Sequence, residues 1–314
     1  MLSDYLYLYT KSNSYEQWRN SIFIQATIQN ISADKYQSLE LTVPSLSEQQ
    51  SISIFLDHET SKIDTLIEKK RRFIEFLEER RSALISRAVT KGLDPDVKMK
   101  DSGVEWIGEI PEHWTVKPFK LTTTRIDVGI AEAATHAYSD EGTPIIRSTN
   151  IRPNKLLLDD IYYIHKWFAE KNKSKYLLSG DIVTVRTGNA GVSAVIPNSL
   201  HMSQCFTLLI STLSSNQIPQ FYCYYLNSLQ GQTEFQIEGW GTAQINISVP
   251  ILQNLPIPEP PFEEQNKIVS FLDNETEKLD KLINKISVQL EKLKEYRTAL
   301  ISAAVTGKID VRSL

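Results

Sequence analysis

Three short stretches of this 314-residue chain collect side chains able to read a base edge. Arginine presents paired donors that suit guanine, and asparagine or glutamine pairs a donor with an acceptor as adenine requires. Arg147 and Asn150 share the stretch Arg147-Ser148-Thr149-Asn150. Arg186, Thr187 and Asn189 share Arg186-Thr187-Gly188-Asn189-Ala190-Gly191, whose glycines would let backbone approach a phosphate. Thr242 and Gln244 close Gly239-Trp240-Gly241-Thr242-Ala243-Gln244, where Trp240 reads more naturally as a packing residue than a stacking one. Lys173 and Lys175 are candidates for phosphate contact. They lie between Arg147 and Arg186, a stretch with an excess of four positive charges. A plain structural role competes at every one of these positions.

Catalytic signatures are absent from the reading. Glu259-Pro260-Pro261-Phe262 misses the Asp/Asn-Pro-Pro-aromatic motif of amino-methyltransferases in its acidic residue, and no glycine-rich cofactor loop stands upstream. It reads as a proline hinge before a helix. Thr306-Gly307-Lys308 lacks the preceding glycine of a phosphate loop. Cys205 and Cys223 have no Cys-x-x-Cys partners, and the five histidines show no ligand spacing. No catalytic residue, metal ligand or cofactor of the chain's own is expected.

The elements that must position the readers come in two copies. Ala83-Leu84-Ile85-Ser86-Arg87-Ala88-Val89-Thr90 returns as Ala299-Leu300-Ile301-Ser302-Ala303-Ala304-Val305-Thr306, 216 positions later. At that offset the run from Pro44 to Thr90 matches Pro260 to Thr306 without a gap, identical at about half its positions. The match persists more weakly upstream, where Tyr5 to Ser12 lies over Phe221 to Ser228 and Asn30-Ile31-Ser32 over Asn246-Ile247-Ser248. Leu272, Leu279, Ile286, Leu293 and Leu300 recur every seven residues, and Leu56, Ile63, Leu77 and Leu84 fill the same column in copy one, interrupted by Lys70. A sustained heptad means a supercoiling helix seam. Ser45-Leu46-Ser47-Glu48 has capping-box form, and Gly92 and Gly307 fall where each helix should stop. Roughly 43 residues of helix make a rod about 65 Å long. Between the copies, β-rich segments at Pro144–Ser148, Asp181–Arg186, Ser193–Ile196 and Cys205–Ser211 precede a helical stretch from Gln220 to Leu229.

Bulk properties constrain the reading. A net charge of −4 and a pI of about 5.8 do not suit a protein that holds nucleic acid alone by bulk electrostatics. Two cysteines build no disulfide framework, so a reduced, cytoplasmic setting is expected. No run approaches a membrane span, and Met1-Leu2-Ser3-Asp4-Tyr5-Leu6 does not resemble a leader.

A family resemblance rests on four motifs. Lys100-Asp101-Ser102-Gly103-Val104-Glu105-Trp106-Ile107-Gly108-Glu109-Ile110-Pro111-Glu112-His113-Trp114 resembles the start of a target-recognition domain in type I restriction–modification specificity subunits. Ser179-Gly180-Asp181-Ile182-Val183 with Gly188-Asn189-Ala190-Gly191 is similar to its middle, and Gly241-Thr242-Ala243-Gln244-Ile245-Asn246-Ile247-Ser248 to its end. Pro258-Glu259-Pro260-Pro261-Phe262-Glu263-Glu264-Gln265 resembles the join to the following helix. The resemblance implies an α+β chain, in which a mixed α/β target-recognition domain is flanked by two long helices packed as an antiparallel coiled coil. It divides the chain into a remnant of a first recognition domain (1–43), a first long helix (44–92), a linker (93–103), a second recognition domain (104–259), a second long helix (260–307) and a tail (308–314). The first domain is expected to be largely missing, with residues 1–43 poorly ordered or leaning on the helices through Tyr5, Tyr7, Trp18 and Phe23. The implied role is non-catalytic reading of one half of a bipartite target in double-stranded DNA. The implied partners are methyltransferase and restriction subunits, which would carry S-adenosylmethionine, Mg and ATP. A second specificity chain could supply the other half-site. The alternatives are a coiled-coil dimerisation protein and a silent specificity cassette.

Overall fold

The computed structural model describes residues 1–22, 31–131, 135–238 and 245–311. In chain order come helices α1 (Ser3–Tyr9), α2 (Asn13–Ile22), α3 (Ala33–Gln37) and the long α4 (Leu46–Lys91). Strands β1 (Met99–Asp101), β2 (Glu109–Pro111), β3 (Thr115–Pro118), β4 (Thr123–Val128), β5 (Tyr138–Ser139), β6 (Thr143–Ile146), β7 (Ile151–Arg152), β8 (Lys155–Leu156) and β9 (Tyr162–Ile164) follow. After α5 (Lys166–Lys171) come β10 (Ile182–Thr184), β11 (Ser193–Val195), β12 (Gln204–Cys205) and β13 (Leu209–Leu213). Then α6 (Pro219–Leu226), α7 (Leu229–Glu238), α8 (Val249–Asn254), β14 (Pro256–Glu259) and the second long helix, α9 (Phe262–Val305), complete the chain. Contacts divide it into residues 1–78 with 278–314, and residues 79–277, so each long helix contributes to both units. Among the described residues no helix is long and apolar enough to cross a membrane.

The first long helix starts on a side-chain cap that the second, with Pro261 in place of Ser45, lacks; both stop on a glycine. The Glu48 N–H donates to Ser45 Oγ (3.3 Å) while the Ser45 N–H donates to Glu48 Oε2 (3.1 Å), the reciprocal capping box read from the sequence. Gly92 and Gly307 end the helices at φ +72° and +71°, the left-handed cap that glycine adopts without strain.

In the first unit the two helices run antiparallel. Ile52 and Leu56 of α4 pack with Ile301 and Val305 of α9, Ile63 and Ile67 with Leu290, and Leu77 with Leu279 and Ile286. Leu56, Ile63, Leu77 and Leu279 are buried, each contributing roughly 1.5–3 kcal/mol. Leu293 and Leu300 are half-buried beside them. Lys70, the heptad interruption, carries its ammonium to Gln289 Oε1 at 2.7 Å. Residues 1–43 lean on this pair through Tyr5, Leu8, Tyr9 and Tyr15, with Trp18 packed against the same core. Tyr7 points away and is exposed, because it lies on the opposite face of α1 from Tyr5 and Leu8; Phe23 lies outside the described residues.

The second unit centres on an antiparallel sheet of order β11-β10-β13-β4. A second sheet, β12-β6-β9-β5, carries a parallel β6–β12 pair. The segment expected as one strand from Cys205 to Ser211 divides into β12 and β13, because Thr207 at φ +51° turns the chain between them. The core joins the end of α4 (Ile85, Ala88, Val89) to the start of α9 (Ile268, Leu272) through Trp114, Phe221 and Tyr225. Leu84 and Leu272, placed on the heptad seam by spacing, pack into this domain core.

The repeat extends to individual hydrogen bonds. The Leu2 N–H donates to Gln49 Oε1 (2.8 Å) and the Ile218 N–H to Gln265 Oε1 (2.9 Å). Tyr9 Oη donates to the Glu40 carbonyl (3.2 Å) and Tyr225 Oη to that of Pro256 (2.8 Å). The Asn13 N–H donates to Ser302 Oγ (2.7 Å), and the Leu229 N–H to Ser86 Oγ (3.2 Å). Each pair is related by the 216-residue offset.

Candidate nucleic-acid interface

Strand β10 leads into the most exposed of the candidate readers. Its approach is fixed by Asp181, whose wholly buried carboxylate accepts hydrogen bonds from Arg125 Nη2 (2.7 Å), the Leu178 N–H (2.9 Å) and Thr212 Oγ1 (2.6 Å). These partners tie β10 to β4, β13 and the preceding turn. Beyond β10 the chain is gripped again: the Ile247 N–H donates to the Arg186 carbonyl (2.9 Å), Arg186 Nε donates to the Ile247 carbonyl (3.2 Å), and Thr187 bridges Asn246 antiparallel. Gly191 permits the return, since a Cβ there would lie 2.5 Å from the Phe235 ring. Between these anchors Thr187, Gly188 and Asn189 are exposed. The Arg186 guanidinium is half-buried with one N–H engaged. A short loop held at both ends, carrying a hydroxyl and an amide into solvent, suits direct contact with base edges. Thr242 and Gln244 lie outside the described residues, as does Trp240.

Other candidates serve the fold. Arg147 Nη2 donates to Asp160 Oδ2 (2.8 Å) and to the Asp160 carbonyl (3.0 Å), and its guanidinium lies 3.6 Å from the centre of the Tyr162 ring. Asn150 is buried: its Oδ1 accepts from the Arg147 N–H (3.0 Å), and its Nδ2 donates to the carbonyls of Leu157 (3.2 Å) and Asp160 (3.1 Å). Asn150 thus has its amide oxygen and nitrogen engaged within the fold, and Arg147 has Nη2 engaged while its Nε has no partner. Lys175 donates to both oxygens of Asp127 (2.8 and 2.7 Å). Burial pushes that carboxyl up, but the Lys175 hydrogen bond and the Val128 N–H outweigh it and hold Asp127 below the ordinary carboxylate range. Lys175 is thus held by Asp127, whereas Lys173 on the same turn is exposed. The positive excess counted along the sequence is correspondingly smaller in space. Glu259, of the near-miss methyltransferase motif, accepts from Gln217 Nε2 (2.8 Å) and pairs with Lys117 (2.5 Å), as a hinge residue would.

Sequence reasoning missed an aromatic face. Tyr138, Tyr162, Tyr163 and Trp167 are exposed around β5, β9 and α5, with Tyr138 edge-on to Tyr162 at 5.5 Å and His165 stacked on Trp167 at 6.4 Å. Aromatic faces with a neighbouring cation such as Lys166 can hold unstacked bases or pack along sugars. The signal was present in the spacing of Tyr162-Tyr163-Ile164-His165-Lys166-Trp167, an aromatic cluster too long and polar for a core strand. Among the described residues no cluster of His, Cys, Asp and Glu has the makings of a metal site.

Comparison with known proteins fits this architecture. The family model for the type I restriction modification DNA specificity domain matches residues 131–292. The chain is 25% identical over 322 residues to the type I restriction enzyme MjaVIII specificity subunit of Methanocaldococcus jannaschii, covering 100% of this chain and 72% of that protein. It is 26% identical over 297 residues to the putative MjaX specificity subunit of the same organism, covering 90% of this chain and 62% of that protein. It is 21% identical over 319 residues to the EcoKI specificity subunit of Escherichia coli K12, covering 99% and 67% respectively. Among solved structures, a chain from a study of complex assembly and conformational transition of the type I R-M system superposes with a TM-score of 0.75 at 16% identity, covering 97% of this chain and 71% of that one. The HsdS subunit from Thermoanaerobacter tengcongensis matches with a TM-score of 0.53 at 16% identity, covering 98% and 70%. With its family model spanning more than half of its residues, this chain belongs to the type I restriction-modification DNA specificity family.

Proposed function

We propose that the chain is a non-catalytic specificity subunit whose domain of residues 104–259 reads one half of a bipartite target in double-stranded DNA. The observation that carries this reading is the exposed Thr187-Gly188-Asn189 tip, clamped by Asp181 before β10 and by Ile247 behind it. Arg186 and Lys173 supply charge to a neighbouring phosphate, and the aromatic face around Trp167 adds sequence-tolerant contact. With a net charge of −4, affinity comes largely from the assembly. Methyltransferase and restriction subunits would bring S-adenosylmethionine, Mg and ATP, and the antiparallel α4–α9 pair would serve them as a scaffold. The test is methylome sequencing of cells that express the chain as sole specificity subunit with a methyltransferase subunit. A defined motif that changes on Asn189→Ala supports the reading. A motif indifferent to Asn189, Thr187 and residues 239–244 would overturn the assignment of the reading loop.

A further inference from the structure

The arm that returns from the reading loop is held by a side chain far from it in sequence. β10 and β11 form a hairpin with Thr184 opposite Ser193 at its base and Thr187 and Asn189 at its tip. The Gly191 N–H donates to the Val185 carbonyl and the Val185 N–H to the Val192 carbonyl, both at 2.9 Å, so tip and base are continuous. β11 is the outer strand of its sheet, and on its far side stands Asn227. Asn227 Oδ1 accepts from the Ser193 N–H (3.0 Å), and Nδ2 donates to the Ser193 carbonyl (2.9 Å). One amide thus meets both polar groups of one residue, as a neighbouring antiparallel strand would. The two Nδ2 protons are shared with the Cys223 carbonyl (2.8 Å) and with Asn154 Oδ1 (2.9 Å). The Asn154 N–H also donates to the Ser193 carbonyl (3.0 Å), so the turn between β7 and β8 joins the same bracket.

The bracket has a firm base. Asn227 ends α6, in which every residue from Phe221 to Leu226 is buried. The repeat shows that ending this helix does not itself require an asparagine. Position 227 corresponds to Lys11, which is exposed. The next position keeps both its residue and its bond: Ser228 Oγ donates to the Tyr225 carbonyl (2.6 Å), and Ser12 Oγ to that of Tyr9 (2.7 Å). The helix end is common to both copies, and the amide stands in the copy where a hairpin lies against it.

We propose that Asn227 is a positioning residue for base reading, which sets the β10–β11 hairpin so that Thr187 and Asn189 meet their base pair. The inference rests on the assignment of Thr187-Gly188-Asn189 as the reading loop. Productive contacts tolerate displacements of only about 0.5 Å, so freeing Ser193 from its amide partner misplaces readers that Asn227 never touches.

The probe is a library of DNA duplexes with a randomised central stretch, selected on the full chain assembled with a methyltransferase subunit and sequenced to give the preference at each base pair. Asn189→Ala should flatten one position by about tenfold. Asn227→Ala should flatten that same position as much, and the double variant no further, because both act through one contact. Gln265→Ala removes a buried amide with as many partners away from the loop and should flatten no single position. Asn227→Asp, which keeps Oδ1 for the Ser193 N–H and loses every Nδ2 donation, is the second variant should Asn227→Ala lose its native circular dichroism. A folded Asn227 variant that keeps the parent's preference at the Asn189 position overturns the proposal. So does a loss spread evenly over all positions, which general loosening would give. If Asn189→Ala flattens no position, the reading loop itself is misassigned and the proposal falls with it; the single Asn189 variant tells the two failures apart.

Discussion

Asp181→Ala tests the clamp that holds the reading loop. The carboxylate is fully buried and accepts three hydrogen bonds, from Arg125, the Leu178 N–H and Thr212 Oγ1. Removing it strands two neutral donors in the interior, each costing about 1–3 kcal/mol when unsatisfied. Breaking a fully buried ion pair costs about 3–5 kcal/mol. Arg125 is 29% exposed, so its charge partly rehydrates and the total should fall near 3 kcal/mol, the lower end of that range. Asp181→Asn keeps the size and one acceptor and should cost about half as much. Urea unfolding followed by tryptophan fluorescence suits the measurement, since Trp106, Trp114, Trp167 and Trp240 all belong to residues 79–277. A cycle with Arg125→Ala should give a coupling of about 1–3 kcal/mol. A loss below about 1 kcal/mol for Asp181→Ala, or no coupling to Arg125, would refute the claim that this pair fixes β10.

The helix pair, the reading loop and the buried thiols give further tests. Leu77→Ala should cost about 2–5 kcal/mol in thermal or urea unfolding, while Ile54→Ala on the exposed face of α4 should stay within about 0.5 kcal/mol of the parent. In DNA binding with methyltransferase subunits present, Asn189→Ala and Thr187→Ala should lose about 1–3 kcal/mol and relax specificity at one base pair. Lys173→Ala should weaken all sequences evenly and lower the salt slope by about one, whereas Arg147→Ala should cost stability and leave base preference unchanged. Burial pushes the Cys205 thiol from 9.0 up to about 12. The native state therefore keeps a proton that the unfolded chain releases, so this contribution to stability is complete below pH 9 and is lost as the pH climbs toward 12. Urea midpoints of Cys205→Ser and parent should converge across that window, and the parent's thiols should react with a disulfide reagent only on unfolding.

The long helices were legible because a heptad and a terminal glycine act locally and recur twice, and a capping box marks the first start. The copy-to-copy match extends in the structure to paired bonds such as those of Gln49 and Gln265. The sheets were harder to read. β5, β7, β8 and β12 have two residues each, too few for a period-two pattern to rise above the loops around them. The reader residues divided by partners that spacing does not reveal. Arg147 and Asn150 look like a base-reading pair until Asp160 and Leu157 return to take their hydrogen bonds. Lys175 looks like a phosphate contact until Asp127 arrives on β4. Thr187 and Asn189 stayed exposed because glycines and the bridge to Asn246 hold their loop at its ends only.

The pairing of β3 with β14 has an evolutionary consequence. The chain enters the recognition domain along residues 115–118 and leaves it along 256–259, and these strands lie side by side. Every candidate reader, from Arg147 to Gln244, is strung between two adjacent threads, moored to the helix ends by Trp114 and Glu264. A recombination event with one crossover in each thread would exchange the whole reading surface while leaving those moorings intact. Such an exchange would replace all the candidate readers in one block and keep the pairing of residues 115–118 with 256–259.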